Sequence, residues 1–192
     1  MFKYVEAKDE ELIKKIYRFR YQIACEELNI LKKENYPDCL EIDEYDRYSI
    51  HFAALNQKEE VVACLRLIQN SPIGYPMENE MKIKFTTDVE RYMVGEISRQ
   101  FIHKAYRDMR STKEIFYLTK KHVCPKMKEI GLKYTYVAVE KSFYRLLRMM
   151  GMPYELIGKP QKHGGRLRLP CVLSTDKLIE RNKQLCSKWV NK

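Results

Sequence analysis

None of the six cysteines (Cys25, Cys39, Cys64, Cys124, Cys171, Cys186) forms a Cys-x-x-Cys pair. The spacing disfavours a zinc site, and no metal is expected. Cysteines scattered singly read as free, mostly buried thiols of a reducing compartment. Glycine and proline number only seven each in 192 residues, which excludes a low-complexity chain. No stretch approaches the ~20 consecutive apolar residues of a membrane helix. The first ten residues, Met1 to Glu10, lack the apolar core of a secretion signal, so the expected location is the cytoplasm. Helix-turn-helix, zinc-finger and aromatic RNA-binding patterns are also missing, which leaves nucleic acid without a reading element. What is present is 45% hydrophobic and 32% charged residues, the composition of a folded domain with a real core. The length favours one domain over residues 1–192. The net charge of +10 suits nucleic acid, an anionic membrane surface or an acidic protein, and charge alone does not choose among them.

Hydrophobic periodicity predicts a mixed sheet with helices on its faces. Met1 to Glu6 reads as a strand. Leu12, Ile16, Phe19 and Ile23 recur at helical spacing and predict a helix over 10–28, with acids at 9, 10 and 11 at its positive end. A polar loop over 31–47 follows, then strands Ser49–Leu55 and Val61–Ile68, joined by a five-residue hairpin loop. Residues 69–92 read as irregular, Tyr92–Ile102 as a strand, and Lys113–Ile130 as an amphipathic helix closed by Gly131. Tyr134–Val139 should be a buried strand, and Lys141–Met150 a helix ended by Gly151. Strands Tyr154–Ile157 and Leu167–Leu173 and a basic helix Asp176–Val190 complete the expected order.

Chemistry-bearing residues fall in three clusters. Leu40-Glu41-Ile42-Asp43-Glu44-Tyr45-Asp46 is acidic within a basic chain. It is either a solvated loop or a negative lip that binds a cation or organises arginines. Calcium is disfavoured, because the glycine and terminal acid of an EF-hand loop are missing. Arg66, inside the run Ala63–Ile68, either faces solvent or is held by a carboxylate, since burying it unpaired is costly. In Val94-Gly95-Glu96-Ile97-Ser98-Arg99, strand alternation puts Glu96 and Ser98 on one face and Ile97 and Arg99 on the other. That segment is a strand-edge ion pair or a general base whose pKa burial has raised.

Taken in order, these stretches resemble a known family. Phe19-Arg20-Tyr21-Gln22-Ile23, the acidic segment, Leu65-Arg66-Leu67-Ile68, Tyr75-Pro76-Met77-Glu78 and Glu96-Ile97-Ser98-Arg99 are similar to motifs of the acyl-homoserine-lactone (autoinducer) synthases. They are closer still to exosortase-associated acyltransferases and N-acyl amino acid synthases. A looser match runs from Gly131 to Gly158. The resemblance implies the GNAT fold, an α/β (α+β) architecture whose mixed central sheet has a splayed parallel strand pair and helices on both faces. It implies a transfer of an acyl chain from a pantetheine thioester to the amine of an amino acid or similar small acceptor. Glu96 would be the base, with Ser98 and Arg99 beside it, and Arg20, Asp43, Asp46 and Arg66 an ion-pair network shaping the substrate pockets. Tyr144 is either a core side chain or the acid that protonates the leaving thiolate.

Two departures bear on the substrates. Ala24 and Ile30 stand where autoinducer synthases place aromatics for the nucleoside-linked acceptor, which disfavours S-adenosylmethionine. The segment Phe101 to Arg110 lacks a Gly-rich pyrophosphate loop, which favours an acyl carrier protein over coenzyme A. No cofactor is expected to stay bound. An acidic carrier gives the positive charge a use, and Lys104, Arg107, Arg110 and Lys113 are either its docking residues or a solvated face. Two alternatives stay open: an S-adenosylmethionine-dependent autoinducer synthase, and a non-catalytic carrier- or partner-binding module of the same fold.

Overall fold

The computed structural model describes residues 1–85 and 88–184. Strand β1 (Lys3–Ala7) is followed by helix α1 (Glu10–Tyr21), which Asp9 starts by accepting the Leu12 N–H at 2.8 Å. The hairpin β2 (Ser49–Leu55) and β3 (Val61–Gln69) lies where alternation places it. Helix α2 (Pro76–Glu80) precedes β4 (Val94–Ile102), and α3 (Met109–Glu129) precedes β5 (Tyr134–Val139). The chain continues through α4 (Lys141–Met149), β6 (Glu155–Leu156), β7 (Gln161–His163), β8 (Arg166–Ser174) and α5 (Thr175–Arg181).

The sheet order is β1-β2-β3-β4-β5-β8-β6, with β7 paired to β8. All pairings are antiparallel except β4 with β5, which run parallel. Helix α1 covers one face through Ile16 and Phe19 against Ala53, Leu55 and Cys64. Helix α3 covers the other through Ile115, Val123 and Met127 against Phe52, Leu65, Leu67 and Ile97.

Several elements differ from expectation, each for a local reason. The first helix changes pitch after Tyr21 into a π-helical segment, Gln22–Glu27, closed by the Leu28 N–H on the Ile23 carbonyl at 2.9 Å. Helix α3 begins at Met109 rather than Lys113, because the Asp108 carboxylate accepts the Ser111 N–H at 2.9 Å. The polar stretch 31–47 contains a 3-10 turn at Lys33–Asn35, and another covers Asp46–Tyr48. Within 69–92 lies α2, started by Pro76 at a position needing no N–H donor. Strand β7 was not expected, being short and polar; it forms because Gly164 and Gly165, both at positive φ, turn the chain back onto β8. The last helix was expected to reach Val190. Helix α5 is interrupted after Arg181, where the Asn182 side chain bonds the Gly151 and Leu178 carbonyls at 3.0 and 2.9 Å, and helical backbone resumes at Lys183 and Gln184. Residues 185–190 of that expectation lie outside the described residues.

Candidate active site

Strand β4 carries the centre of the site. Glu96 is 2% exposed and lies opposite Ile68 on β3. Its Oε2 accepts the Met77 N–H at 2.9 Å, so the carboxylate also caps α2. Burial raises its pKa to about 8, because the Met77 N–H and the nearby Arg66 only partly offset the loss of water.

Beside it lies a buried charge network drawn from four parts of the chain. Arg20, fully buried on α1, donates from Nε to Glu41 at 2.5 Å and from its two terminal nitrogens to Asp46 at 2.7 and 3.1 Å. Arg66 on β3 donates to Ser98 Oγ at 2.9 Å, to Asp43 at 2.5 Å and to Asp46 at 3.0 Å. Arg99 donates to Glu41 at 2.9 Å and to Asp43 at 3.0 Å. Three guanidinium groups thus face three carboxylates, and the network closes without net charge. Burial alone would raise the Glu41 pKa, but the charges of Arg99 and Arg20 outweigh it and hold the carboxyl at about 2. Asp46 is held well below the usual carboxylate range by the same balance with Arg20 and Arg66.

Simple alternation placed Arg99 with Ile97, and the structure corrects this. Arg99 sits at φ 50° in a bulge where the register shifts between Cys64 and Arg66. Its side chain therefore reaches Glu41 and Asp43 on the face of α1, while Ile97 packs towards α3. Glu41, fully buried and bridging two arginines, was not singled out in the sequence. Within an acidic run nothing but burial marks it out, and the arginines on either side were the available signal.

The parallel pairing of β4 and β5 covers only Val94 to Glu96 against Tyr134 to Tyr136. Beyond Glu96 the strands diverge, and a cavity of about 550 Å³ opens between them. Glu96, Ser98 and Arg99 line it from β4, and Val137, Ala138 and Val139 from β5. Leu28, Ile30, Leu31, Phe101 and Phe143 make an apolar part of the wall, and the β7–β8 hairpin contributes His163, Arg166 and Arg168. These hairpin residues were also missed, although Gly164-Gly165 was a turn signal.

The remaining sequence candidates are spread out. Asp43 lines the cavity, whereas Arg20, Asp46 and Arg66 stand behind it. Tyr144 is not among the lining residues; its hydroxyl donates to the Tyr154 carbonyl at 3.2 Å, and its ring packs in the core between α3, α4 and β8. Arg107 reaches the cavity but is tied to Glu27 at 2.5 Å and to the Ile102 carbonyl at 2.8 Å. Lys104, Arg110 and Lys113 are exposed around the start of α3 and form no ion pair among the described residues. No helix among the described residues is long and apolar enough to cross a membrane. No group of three or more His, Cys, Asp or Glu residues arranged to hold a metal occurs among them either.

Comparison with known proteins gives the same architecture. The acetyltransferase (GNAT) domain family matches residues 19–116, just over half of the chain. No curated protein matches the sequence. Among solved structures, TofI in a ternary complex with an inhibitor and MTA is 18% identical with a TM-score of 0.74, over 97% of this chain and 100% of that one. The CoA-dependent acyl-homoserine lactone synthase BjaI, with SAM and isopentyl-CoA, is 18% identical with a TM-score of 0.72, over 96% and 89%. FeeM, an N-acyl amino acid synthase from uncultured soil microbes, is 13% identical with a TM-score of 0.69, over 98% and 96%. At these identities the likeness is one of fold.

Proposed function

The chain belongs to the GNAT acetyltransferase domain family and is an acyltransferase; from that premise we propose that it moves an acyl group from a carrier-protein thioester to the amine of an amino acid or similar small acceptor. The observation that carries this reading is Glu96, a buried carboxyl with its pKa near 8 on the wall of the cavity between the diverging strands. An amine attacks a thioester carbonyl only when neutral, and a carboxylate of that basicity takes its proton effectively near neutral pH. The amine nitrogen bonds to the carbonyl carbon, the C–S bond breaks, and the thiolate leaves as the proton passes to Glu96. Backbone N–H groups of β4 beyond the divergence are free of β5 and are placed to receive the developing oxyanion. Ser98, fixed by Arg66, and Arg99, fixed by Glu41 and Asp43, orient the reacting groups. Arg20 and Asp46 hold that arrangement from behind. With its hydroxyl turned to Tyr154, Tyr144 has no part in this reading.

A carrier protein is favoured over coenzyme A because the start of α3 is capped by its own carboxylate, Asp108. A pyrophosphate there would meet a negative charge instead of open amides. Exposed Lys104, Arg110 and Lys113, with Arg107 at the cavity, supply a basic approach for an acidic carrier. The thiols of Cys25, Cys39, Cys64 and Cys171 are free, which suits the cytoplasm. The sheet from β1 to β6 draws on the whole described chain, which supports one domain over 1–192.

The test is to incubate the purified protein with acyl carrier protein thioesters and a panel of amines, and to follow thiol release and N-acyl products. Acylated amine formed by the wild type and lost in Glu96→Gln is the expected result; equal rates in both would refute the role of Glu96. Release of methylthioadenosine from S-adenosylmethionine would instead assign an autoinducer synthase.

A further inference from the structure

The charged groups that line the cavity are almost all matched. Arg99 is held by Glu41 and Asp43, Arg107 by Glu27, and Arg166 by Glu140 at 2.9 Å. His163 Nδ1 lies 2.9 Å from Glu80. Arg168 is the exception: it lines the cavity, and its guanidinium makes no ion pair or hydrogen bond among the described residues. Strand pairing explains where it points. Arg166 and Arg168 are two residues apart on β8 and share a face, and β7 fixes Arg168 opposite Gln161. The guanidinium lies across the turn, so a Cβ at Gly164 would meet its Nη1, Cζ and Nη2 at 3.6 to 3.7 Å.

An unpaired guanidinium in a partly desolvated wall is costly unless something anionic completes it. Burial, and then the neighbouring charge of Arg99, push the Arg168 pKa down, and Glu140 and Glu80 offset only part of this without pairing with it. The planar fork matches a carboxylate through two parallel hydrogen bonds. Glu80 and Glu140 stand near enough to influence Arg168, which disfavours a doubly charged phosphate and favours a single negative charge.

We propose that Arg168 is the carboxylate anchor of the acceptor site, so that the acceptor is an amino acid held by its carboxylate at Arg168 with its amine towards Glu96. This rests on the acyl-transfer reading above and narrows its acceptor to amines that carry a carboxylate. His163, oriented by Glu80, closes the same wall.

The test uses equilibrium binding and needs no turnover. Calorimetric titration of the full chain with N-acyl amino acids, and with the matching N-acyl amino acid amides, compares ligands that differ only in the charged group. The acid should bind about 10- to 100-fold more tightly than the amide, the worth of a charge-assisted hydrogen bond. Arg168→Gln should erase that preference, and Arg168→Lys should restore part of it. Equal binding of acid and amide by the wild type, or a preference that survives in Arg168→Gln, overturns the proposal. Steady-state kinetics separate the other source of an anion, the phosphate of the donor arm. In Arg168→Gln the KM for the amino acid should rise with the KM for the thioester unchanged, and the reverse pattern would assign Arg168 to the donor. A chain that binds acid over amide through Arg168 yet transfers no acyl group would refute the acyl-transfer reading and leave the anchor standing.

Discussion

Ionised Glu96 is the form that accepts a proton from an attacking amine, yet burial keeps this carboxyl protonated up to about pH 8. In the proposed reaction, kcat/KM should therefore climb with pH towards that value, with an ascending limb that Glu96→Gln removes while lowering kcat by about 10²- to 10⁴-fold. Stability should move the opposite way. An unfolded glutamate ionises near 4.5 and the folded one near 8, so between those values the folded chain holds the extra proton. Stability falls as pH rises through that window, and denaturant midpoints should decline from pH 5 to pH 8 more steeply in the wild type than in Glu96→Gln. Glu41 presents the contrasting carboxylate. Ionised and shared by Arg20 and Arg99, it leaves two guanidinium groups each short of one carboxylate if removed, with only Asp46 and Asp43 still facing them. Glu41→Ala should cost about 3–5 kcal/mol, visible in thermal melts as a drop of roughly 10 °C for a chain of this size.

At the scale of the element, β4 owes its role to two backbone features. Gly95 permits a close approach: a Cβ there would lie 2.7 Å from the Ile68 carbonyl oxygen and 3.0 Å from a Leu132 methyl carbon. Gly95→Ala should force β3 and β4 apart next to Glu96, lowering stability by about 1–3 kcal/mol and weakening activity beyond what that loss explains; chemical denaturation beside initial rates would show both. The bulge at Arg99 is the second feature, and it marks where the sequence stops being informative. Strand β4, helix α4 and the hairpin β2–β3 follow from periodicity, because their apolar residues face one consistent environment. Arg20, Asp43, Asp46 and Arg66 were readable as a charged set only through the resemblance of their motifs to a known family. A left-handed arginine, by contrast, has no local signature, since the residue is held in that conformation by Glu41 and Asp43 from distant parts of the chain. Nor does periodicity reach β7, whose Gln161-Lys162-His163 is too short and polar to alternate.

Over the whole molecule, charge is unevenly used. The interior network is neutral, so the excess of +10 is expressed at the surface, where Lys104, Arg110 and Lys113 flank the start of α3. If this face receives an acidic carrier, reversing those charges should raise the KM for a carrier-protein thioester several-fold while leaving a short pantetheine thioester unaffected, and added salt should reproduce the effect on the wild type. The sheet itself breaks at its middle rather than at its margin: β4 and β5 part after Glu96 and Tyr136, while each stays bonded to its outer neighbour. The two halves of the sheet are thus joined by a short seam of parallel pairing, and a thioester arm whose amides bridge the gap would act as a strand lent by the substrate. The occupied enzyme should be mechanically one sheet and the empty one two, so slowed amide exchange on binding should appear on both sides of the gap at once, along 97–102 and along 137–139.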